Sequence, residues 1–306
     1  MNSGIINVYK EAGFTSCDVV AKLRGILKIK KIGHTGTLDP DATGVLPVCV
    51  GKATKLCDML TDKDKVYECV MLLGVETDTY DMSGRILQKK SVDVSEEEVT
   101  SAINSFVGDI MQVPPMYSAL KVNGKKLYEL AREGKEVERK ARPVSIFSID
   151  ILSMNLPEVS IRIHCSKGTY IRSLCHDIGE TLGCGCAMKT LVRTRVSQFD
   201  ISDAKTLEEI ERIVKNGKID GIMMPIASVF DGLGTVFVIP TEEAIKQAVN
   251  GGKIPAVNVF AEAVSSFEDD ERYRVFLPDN RFLGIYVYKE SQFILEKMFL
   301  EPFRAK

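Results

Sequence analysis

The stretch VSIRIHC, residues 159–165, alternates apolar and polar side chains, which is the pattern of a half-buried β-strand. After the turn 166–172, Leu174, Ile178 and Leu182 repeat with the spacing of a helix. Further strands are predicted at residues 5–9 and 66–73, without the regular alternation of βαβ units. This irregular mixture of strands and helices predicts an α+β fold.

Three capping-box patterns predict where helices begin: Thr15 with Asp18, Ser95 with Glu98, and Thr206 with Glu209. After residue 235 the sequence pattern changes. It predicts a short helix beginning near Thr241, a hairpin over 273–288 and a last strand over 293–299. We therefore predict two domains, residues 1–235 and a small β-rich domain over residues 236–306. Residues 109–142 carry little periodicity and are predicted to be a long excursion.

The composition limits the class of protein. Hydrophobic residues make up 45% and charged residues 27% of the 306, which is typical of a globular protein. No run of 18 uncharged apolar residues and no signal-peptide pattern occurs, so we expect a cytoplasmic protein without a membrane span. The eight cysteines lack repeated metal-ligand spacing, and Cys184-x-Cys186 with Cys175-His176 is a weak match, so no metal site is predicted.

Charge is distributed unevenly along the chain. The net charge is -2 overall, but residues 1–199 carry +3 and residues 200–306 carry -5. Five basic residues without an acidic neighbour fall within ten positions: Lys22, Arg24, Lys28, Lys30 and Lys31. Such a run is typical either of a solvated helix face or of a patch that binds a phosphate backbone, and charge alone leaves both open.

The segment GHTGTLDPDATG, residues 33–44, is too rich in glycine and threonine for a regular helix or strand. It contains neither a P-loop nor a dinucleotide-binding fingerprint, so no nucleotide cofactor is predicted. Asp39 is either a turn residue before Pro40 or a catalytic carboxylate, which would need a cation to stay ionised: Arg172 or the basic run before Gly33. A metal-dependent hydrolase using Asp39, Asp41 and His34 is a further alternative.

Five segments in this order resemble the motifs of the bacterial tRNA pseudouridine synthase B (TruB) family: residues 33–47, 65–68, 114–121, 166–172 and 191–196. The resemblance covers about residues 4–200. It implies the pseudouridine synthase fold, with a central mixed, mainly antiparallel sheet flanked by helices and loops. The domain after residue 235 resembles the PUA-like RNA-binding domain of this family.

The resemblance also implies roles for individual residues. Asp39 matches the catalytic aspartate, and Arg172 the arginine that ion-pairs with it. Tyr67 matches the tyrosine that stacks on the target base and assists at C5, and Leu191 the apolar residue that lines the base pocket. One departure is Glu11, which follows Lys10 where many members have proline.

Other matched positions imply contacts with RNA. His34 matches a histidine that helps to hold the unstacked T loop, while Lys121 and Tyr170 lie in matched motifs and are expected to bind the substrate. The excursion, at about residues 109–142, matches a thumb insertion that closes on RNA.

The implied activity is isomerisation of the T-loop uridine, position 55 in standard tRNA numbering, to pseudouridine. The implied partner is the tRNA T stem-loop, bound by a cytoplasmic monomer that needs no cofactor and no metal. A tRNA-binding chaperone without catalysis is the alternative. It would keep the basic thumb insertion and the C-terminal domain but would not need Asp39.

Overall fold

The computed structural model describes residues 3–122, 124–261 and 266–300. The ends of the two predicted domains, at residues 1 and 306, therefore lie outside the described residues. Within the described ranges the chain forms two large sheets with helices on their faces.

In the part of the chain that the structure describes, five helices begin where the sequence predicts them, and two short ones, at residues 57–61 and 127–132, are not predicted from the sequence. They are α1 (Ser16–Leu27), α2 (Cys57–Thr61), α3 (Glu96–Asn104), α4 (Leu127–Arg132), α5 (Ile171–Thr181), α6 (Leu207–Lys215) and α7 (Glu242–Val249). Short 3-10 helices span Gly51–Leu56, Ile201–Asp203, Ile219–Gly221, Ile226–Phe230 and Ala256–Asn258. Thr15, Ser95 and Thr206 each cap a helix by accepting the backbone N–H three residues later, which confirms all three capping boxes.

The first sheet lies between residues 4 and 224. Its strands are β1 (Gly4–Lys10), β2 (Ile32–His34), β3 (Thr43–Val50), β4 (Lys65–Leu73), β7 (Gly108–Gln112), β10 (Arg142–Asn155), β11 (Glu158–Cys165), β12 (Cys186–Val196), β13 (Phe199–Asp200) and β14 (Met223–Met224). Two small hairpins lie outside it: β5 (Val75–Thr77) with β6 (Ile86–Lys89), and β8 (Lys121–Val122) with β9 (Lys125–Lys126).

The order across the first sheet is β14-β1-β3-β12-β4-β11-β10-β7, with β2 added to β3 and β13 to β12. Strand β12 pairs in parallel with β3 and antiparallel with β4, and the other pairs of this sheet are antiparallel. The α+β prediction of a mixed, mainly antiparallel sheet is confirmed. The predicted half-buried strand over 159–165 is β11.

The second sheet begins at residue 234. It contains β15 (Gly234–Val238), β16 (Ile254–Pro255), β17 (Val259–Phe260), β18 (Arg272–Phe276), β19 (Phe282–Lys289) and β20 (Gln292–Met298). The order is β16-β20-β19-β18-β15-β17, and α7 packs against it. An apolar cluster joins the two sheets, because Ile285 and Phe299 are buried together with Ile5, Val45 and Phe230.

The predicted excursion over 109–142 needs a correction. Residues 108–112 form β7, and Arg142 to Ile146 pair with it, so both ends of the excursion belong to the first sheet. The part that leaves the sheet is residues 113–141, called the insertion loop below. The edge strand could not be predicted because the buried Gln112 is polar and the exposed Met111 is apolar, so the hydropathy of β7 does not alternate with its burial.

Among the described helices, none is long and apolar enough to cross a membrane.

Candidate active site

The loop between β2 and β3 carries Asp39, and it is fixed on both sides of this residue. On one side the buried Ser16 hydroxyl accepts the N–H of Leu38 at 2.9 Å and donates to its carbonyl at 3.3 Å. On the other side the ammonium of Lys10, fully buried, donates to the carbonyl of Pro40 at 2.9 Å. The backbone on each side of Asp39 is therefore held, so its carboxylate is aimed by the loop.

Arg172 lies in the first turn of α5 and is 6% exposed. Its Nη2 donates to Asp39, at 3.1 Å from Oδ2 and 3.3 Å from Oδ1, so the predicted ion pair is present. The same nitrogen donates to the carbonyl of Tyr117 at 2.9 Å. Its Nη1 donates to Oδ2 of Asp81 at 3.1 Å and to the carbonyl of Thr79 at 3.4 Å. The guanidinium is thus held between two carboxylates.

Asp81 is fixed from its other side. Its Oδ1 accepts from the hydroxyl of Thr79 at 2.7 Å and from the N–H of Ser83 at 3.0 Å. Its side chain is only 14% exposed. Since each of its oxygens has a partner, Asp81 acts as a rigid anchor for Arg172.

The charges around Asp39 act in opposite directions. Burial raises the pKa of the Asp39 carboxyl, the Arg172 guanidinium lowers it, and the Asp81 carboxylate raises it again. The net direction is upward. A raised pKa makes the carboxylate a stronger base and nucleophile once it is ionised. The Lys10 ammonium is also affected by this site: burial lowers its pKa to about 8, although the Asp39 carboxylate acts in the opposite direction.

An apolar floor lies below the ion pair. Tyr67 on β4 and Leu191 on β12 are both buried, in one cluster with Leu38 and Ala42 of the loop between β2 and β3. Burial raises the pKa of the Tyr67 phenol, while the guanidinium of Arg193 opposes this shift. Arg193 is the cross-strand partner of Tyr67 and donates to the carbonyls of Val45 and Gly36 at 2.8 and 3.1 Å.

The other predicted residues lie at different places around this centre. His34 ends β2, and its Nδ1 accepts the N–H of Gly36 at 3.3 Å; burial lowers the pKa of the imidazole, which favours the neutral ring. Tyr170 is the N-cap of α5, directly before the turn that carries Arg172. Lys121 is exposed on β8 of the insertion loop, and no contact within the described residues joins it to Asp39.

The structure therefore brings Asp39, Arg172, Tyr67 and Leu191 to one place, whereas Lys121 lies on an exposed strand of the insertion loop. Sequence reasoning missed Asp81, Arg193 and Gln112, whose side-chain amide is hydrogen-bonded to the backbone of Tyr170, and it assigned no role to Lys10. The signals were weak, since Lys10 directly follows the strand predicted at residues 5–9, and Asp81 stands in the turn-rich segment DTYDMSG, residues 78–84. Burial of a charged side chain, which marks a functional site, is visible only in the fold.

No metal-binding group was found in the described part of the chain. No three or more His, Cys, Asp or Glu residues there are arranged to hold a metal ion. Cys175 instead lies in the apolar core, with its Sγ 3.6 Å from that of Cys69.

Comparison with known protein families gives two matches that follow each other along the chain. Residues 24–171 match the family model described as TruB family pseudouridylate synthase (N terminal domain). Residues 172–231 match the model described as tRNA pseudouridylate synthase B C-terminal domain.

Curated relatives match nearly the whole length. A tRNA pseudouridine synthase B of Lachnoclostridium phytofermentans is 53% identical, covering 97% of this chain and 100% of the relative. Proteins with the same name from Clostridioides difficile and Clostridium kluyveri are 48% and 45% identical; they cover 92% and 97% of this chain, and 93% and 99% of their own lengths.

Solved structures show the same fold. A chain of a Cbf5-Nop10-Gar1 complex is 27% identical with a TM-score of 0.71, covering 97% of this chain and 85% of that one. A chain of an H/ACA RNP bound to a substrate RNA containing 2′-deoxyuridine is 24% identical, with a TM-score of 0.72 and the same two coverages, which shows the fold alone.

Proposed function

This chain belongs to the TruB family of pseudouridylate synthases, and we propose that it isomerises a tRNA uridine to pseudouridine with Asp39 as the reacting carboxylate. The observation that carries the assignment of Asp39 is its ion pair with the buried Arg172, 3.1 Å away, above the apolar floor of Tyr67 and Leu191. A tRNA chaperone would have no use for a buried arginine shared by two carboxylates.

The reaction rearranges bonds without gain or loss of electrons. The N1–C1′ bond of the uridine breaks, the base turns, and a C5–C1′ bond forms; C5 then loses its proton and N1 gains one. Asp39 attacks C6 or C1′, or removes a ribose proton to give a glycal. Each of these three routes needs the ionised carboxylate, which the neighbouring Arg172 favours.

The residues around Asp39 have separate roles in the reaction. Arg172 orients the carboxylate of Asp39, because the planar guanidinium donates hydrogen bonds in fixed directions and also carries a positive charge. The ring of Tyr67 stacks on the base, and its hydroxyl assists the removal of the C5 proton. Leu191 and the apolar cluster keep water from the detached base while it turns.

The substrate site is the T loop, with uridine 55 as the target. A stacked base must leave the helix before Asp39 can reach it, which costs a few kcal/mol. Phosphate contacts can offset that cost, and four exposed lysines precede the Asp39 loop in the chain: Lys22, Lys28, Lys30 and Lys31. The insertion loop with Lys121 closes on the RNA, Tyr170 lines the site, and the neutral His34 holds the unstacked loop.

We further propose that residues 1–235 form the catalytic domain and residues 236–306 a PUA-like domain that binds RNA. The enzyme acts as a cytoplasmic monomer and needs no cofactor and no metal.

The test is incubation of the full chain with an unmodified tRNA transcript, followed by mapping of pseudouridine at single-nucleotide resolution. We expect one new pseudouridine, at position 55, also in the presence of excess chelator. If the tRNA stays unmodified although the protein binds it tightly, the enzyme hypothesis is wrong and the protein is a tRNA chaperone.

A further inference from the structure

Arg172 owes its position to the first turn of α5, and the start of this helix is unusual. Its N-cap is Tyr170, whose side chain makes no capping hydrogen bond. Ser, Thr, Asp and Asn normally fill this place because their short side chains satisfy the free backbone N–H groups. The orientation of the turn must therefore be fixed by something other than a local cap.

Gln112 provides that fixation from a distant strand. Its Nε2 donates to the carbonyl of Tyr170 at 3.0 Å, and its Oε1 accepts the N–H of Tyr170 at 2.8 Å. Both polar backbone groups of one residue pair with one side-chain amide, much as a neighbouring strand would pair with them. Gln112 is 2% exposed, so the two bonds are shielded from water.

Gln112 is also the last residue of β7, directly before the insertion loop. Two further contacts join this root to the same turn: the hydroxyl of Ser173 donates to the carbonyl of Val113 at 2.9 Å, and Arg172 donates to the carbonyl of Tyr117. The loop that is proposed to hold RNA is thus connected through Gln112 to the turn that aims Arg172.

We infer that Gln112 is a positioning residue, which locks the Tyr170–Arg172 turn to the root of the insertion loop and so keeps Arg172 aligned on Asp39. It acts through Tyr170 and does not touch the substrate. The inference rests on the proposed roles of Asp39 and Arg172. It predicts that loss of Gln112 slows the chemical step and leaves RNA binding nearly unchanged.

The first test is Gln112→Met, which removes both hydrogen bonds at similar size and buries no charge. We expect the single-turnover rate constant on the tRNA transcript to fall about 100-fold, since small misplacements of catalytic groups have effects of this order. The dissociation constant for tRNA should stay within about twofold. Circular dichroism and thermal unfolding show whether the variant is folded under the assay conditions.

The second test is Gln112→Glu, which adds a readout that a purely structural role would not give. A protonated glutamic acid can still donate to the carbonyl of Tyr170 and accept its N–H, whereas the carboxylate cannot donate. Burial raises the pKa of such a carboxyl, while the cross-strand neighbour Arg142 and the nearby Arg172 oppose this. We expect the rate ratio of this variant to the parent to rise about tenfold from pH 8.5 to pH 6.0. The ratio removes the part of the Asp39 titration that both proteins share. If the new carboxylate raises the pKa of Asp39, the variant loses activity at acidic pH, which acts against the expected rise in the ratio.

Two matched controls complete the design. Gln88→Glu makes the same exchange at an exposed glutamine and should match the parent at every pH. Ser173→Ala removes a different bond of the same contact and should show no pH-dependent ratio. A folded Gln112→Met enzyme within about threefold of the parental rate would overturn the inference, and so would a loss confined to RNA affinity. A parent enzyme that forms no pseudouridine would instead refute the proposed function.

Discussion

Replacement of Asp81 by asparagine tests whether the second carboxylate on Arg172 matters. The change keeps the size of the side chain and an oxygen that accepts hydrogen bonds, and it removes one negative charge 3.1 Å from Nη1 of Arg172. Two unit charges at that distance interact by about 5 kcal/mol at an effective dielectric constant of about 20. Because the new amide still accepts a hydrogen bond and Asp39 still pairs with Arg172, we expect the loss in the transition state to be about 3 kcal/mol, roughly 100-fold in rate.

The same substitution moves the pH dependence in a defined direction. The Asp81 carboxylate raises the pKa of Asp39, so its removal lowers that pKa. Activity needs ionised Asp39 and is lost as the pH falls through the pKa of this carboxyl. The acidic limb of the rate profile should therefore move to lower pH in Asp81→Asn, although the plateau is lower.

The assay is single-turnover formation of pseudouridine in a tRNA transcript across the acidic range, with tRNA affinity measured separately. Asp78→Asn is the matched control, because Asp78 lies in the same segment and accepts the N–H of Arg85 rather than a bond from Arg172. We expect the control to stay within about threefold of the parent. An Asp81→Asn enzyme with the parental rate, or with an acidic limb that is unmoved or moves upward, would refute the anchoring role.

Further predictions concern the rest of the site and the contact between the sheets. Asp39→Asn should bind tRNA normally but form no pseudouridine, and even one percent of the parental rate would contradict the assignment. Arg172→Lys keeps the charge but loses the fork, so turnover should fall at least tenfold at unchanged RNA affinity, measured by the same kinetics. Tyr67→Leu should be inactive, whereas Tyr67→Phe should cleave the glycosidic bond and stall before release; a Phe enzyme as fast as the parent would leave stacking as the sole role. Phe299→Ala removes a buried ring between the sheets and should lower the free energy of unfolding by about 3–5 kcal/mol in a denaturant titration, and a change below about 1 kcal/mol would show that the contact does not stabilise the chain.

Features that depend on neighbours in sequence could be predicted. The capping boxes at Thr15, Ser95 and Thr206 involve residues three apart, so the helix starts follow from the sequence. The alternation over 159–165 likewise predicts β11. The α+β class follows from the sum of such elements.

Features that depend on distant partners could not be predicted from residue patterns. Asp81 meets Arg172 across 91 positions, and Gln112 meets Tyr170 across 58. An aspartate in a turn and a glutamine at a strand end look ordinary until the fold supplies their partners. Even the pairing of Asp39 with Arg172 became a definite prediction only through the family resemblance, since the residues alone favoured a turn aspartate.

The place of β12 in the first sheet has a consequence for how the newly made chain folds. β3 and β4 follow each other in the chain but are not neighbours, because β12 lies between them. After Leu73, the last residue of β4, has been added to the chain, synthesis must continue to Cys186 before β12 begins. At ordinary elongation rates of about 5–20 residues per second, this gap lasts roughly 6–23 s. Throughout that time the edge of β4 that later pairs with β12 has no partner. On β3 only the end at Thr43 and Gly44 waits for β12, because β2 pairs with its other end at residues 48–50. An open strand edge can pair wrongly with other nascent chains. We therefore expect the newly made chain to be most prone to aggregation while residues 73–186 are translated, and slower translation of this stretch should increase aggregation.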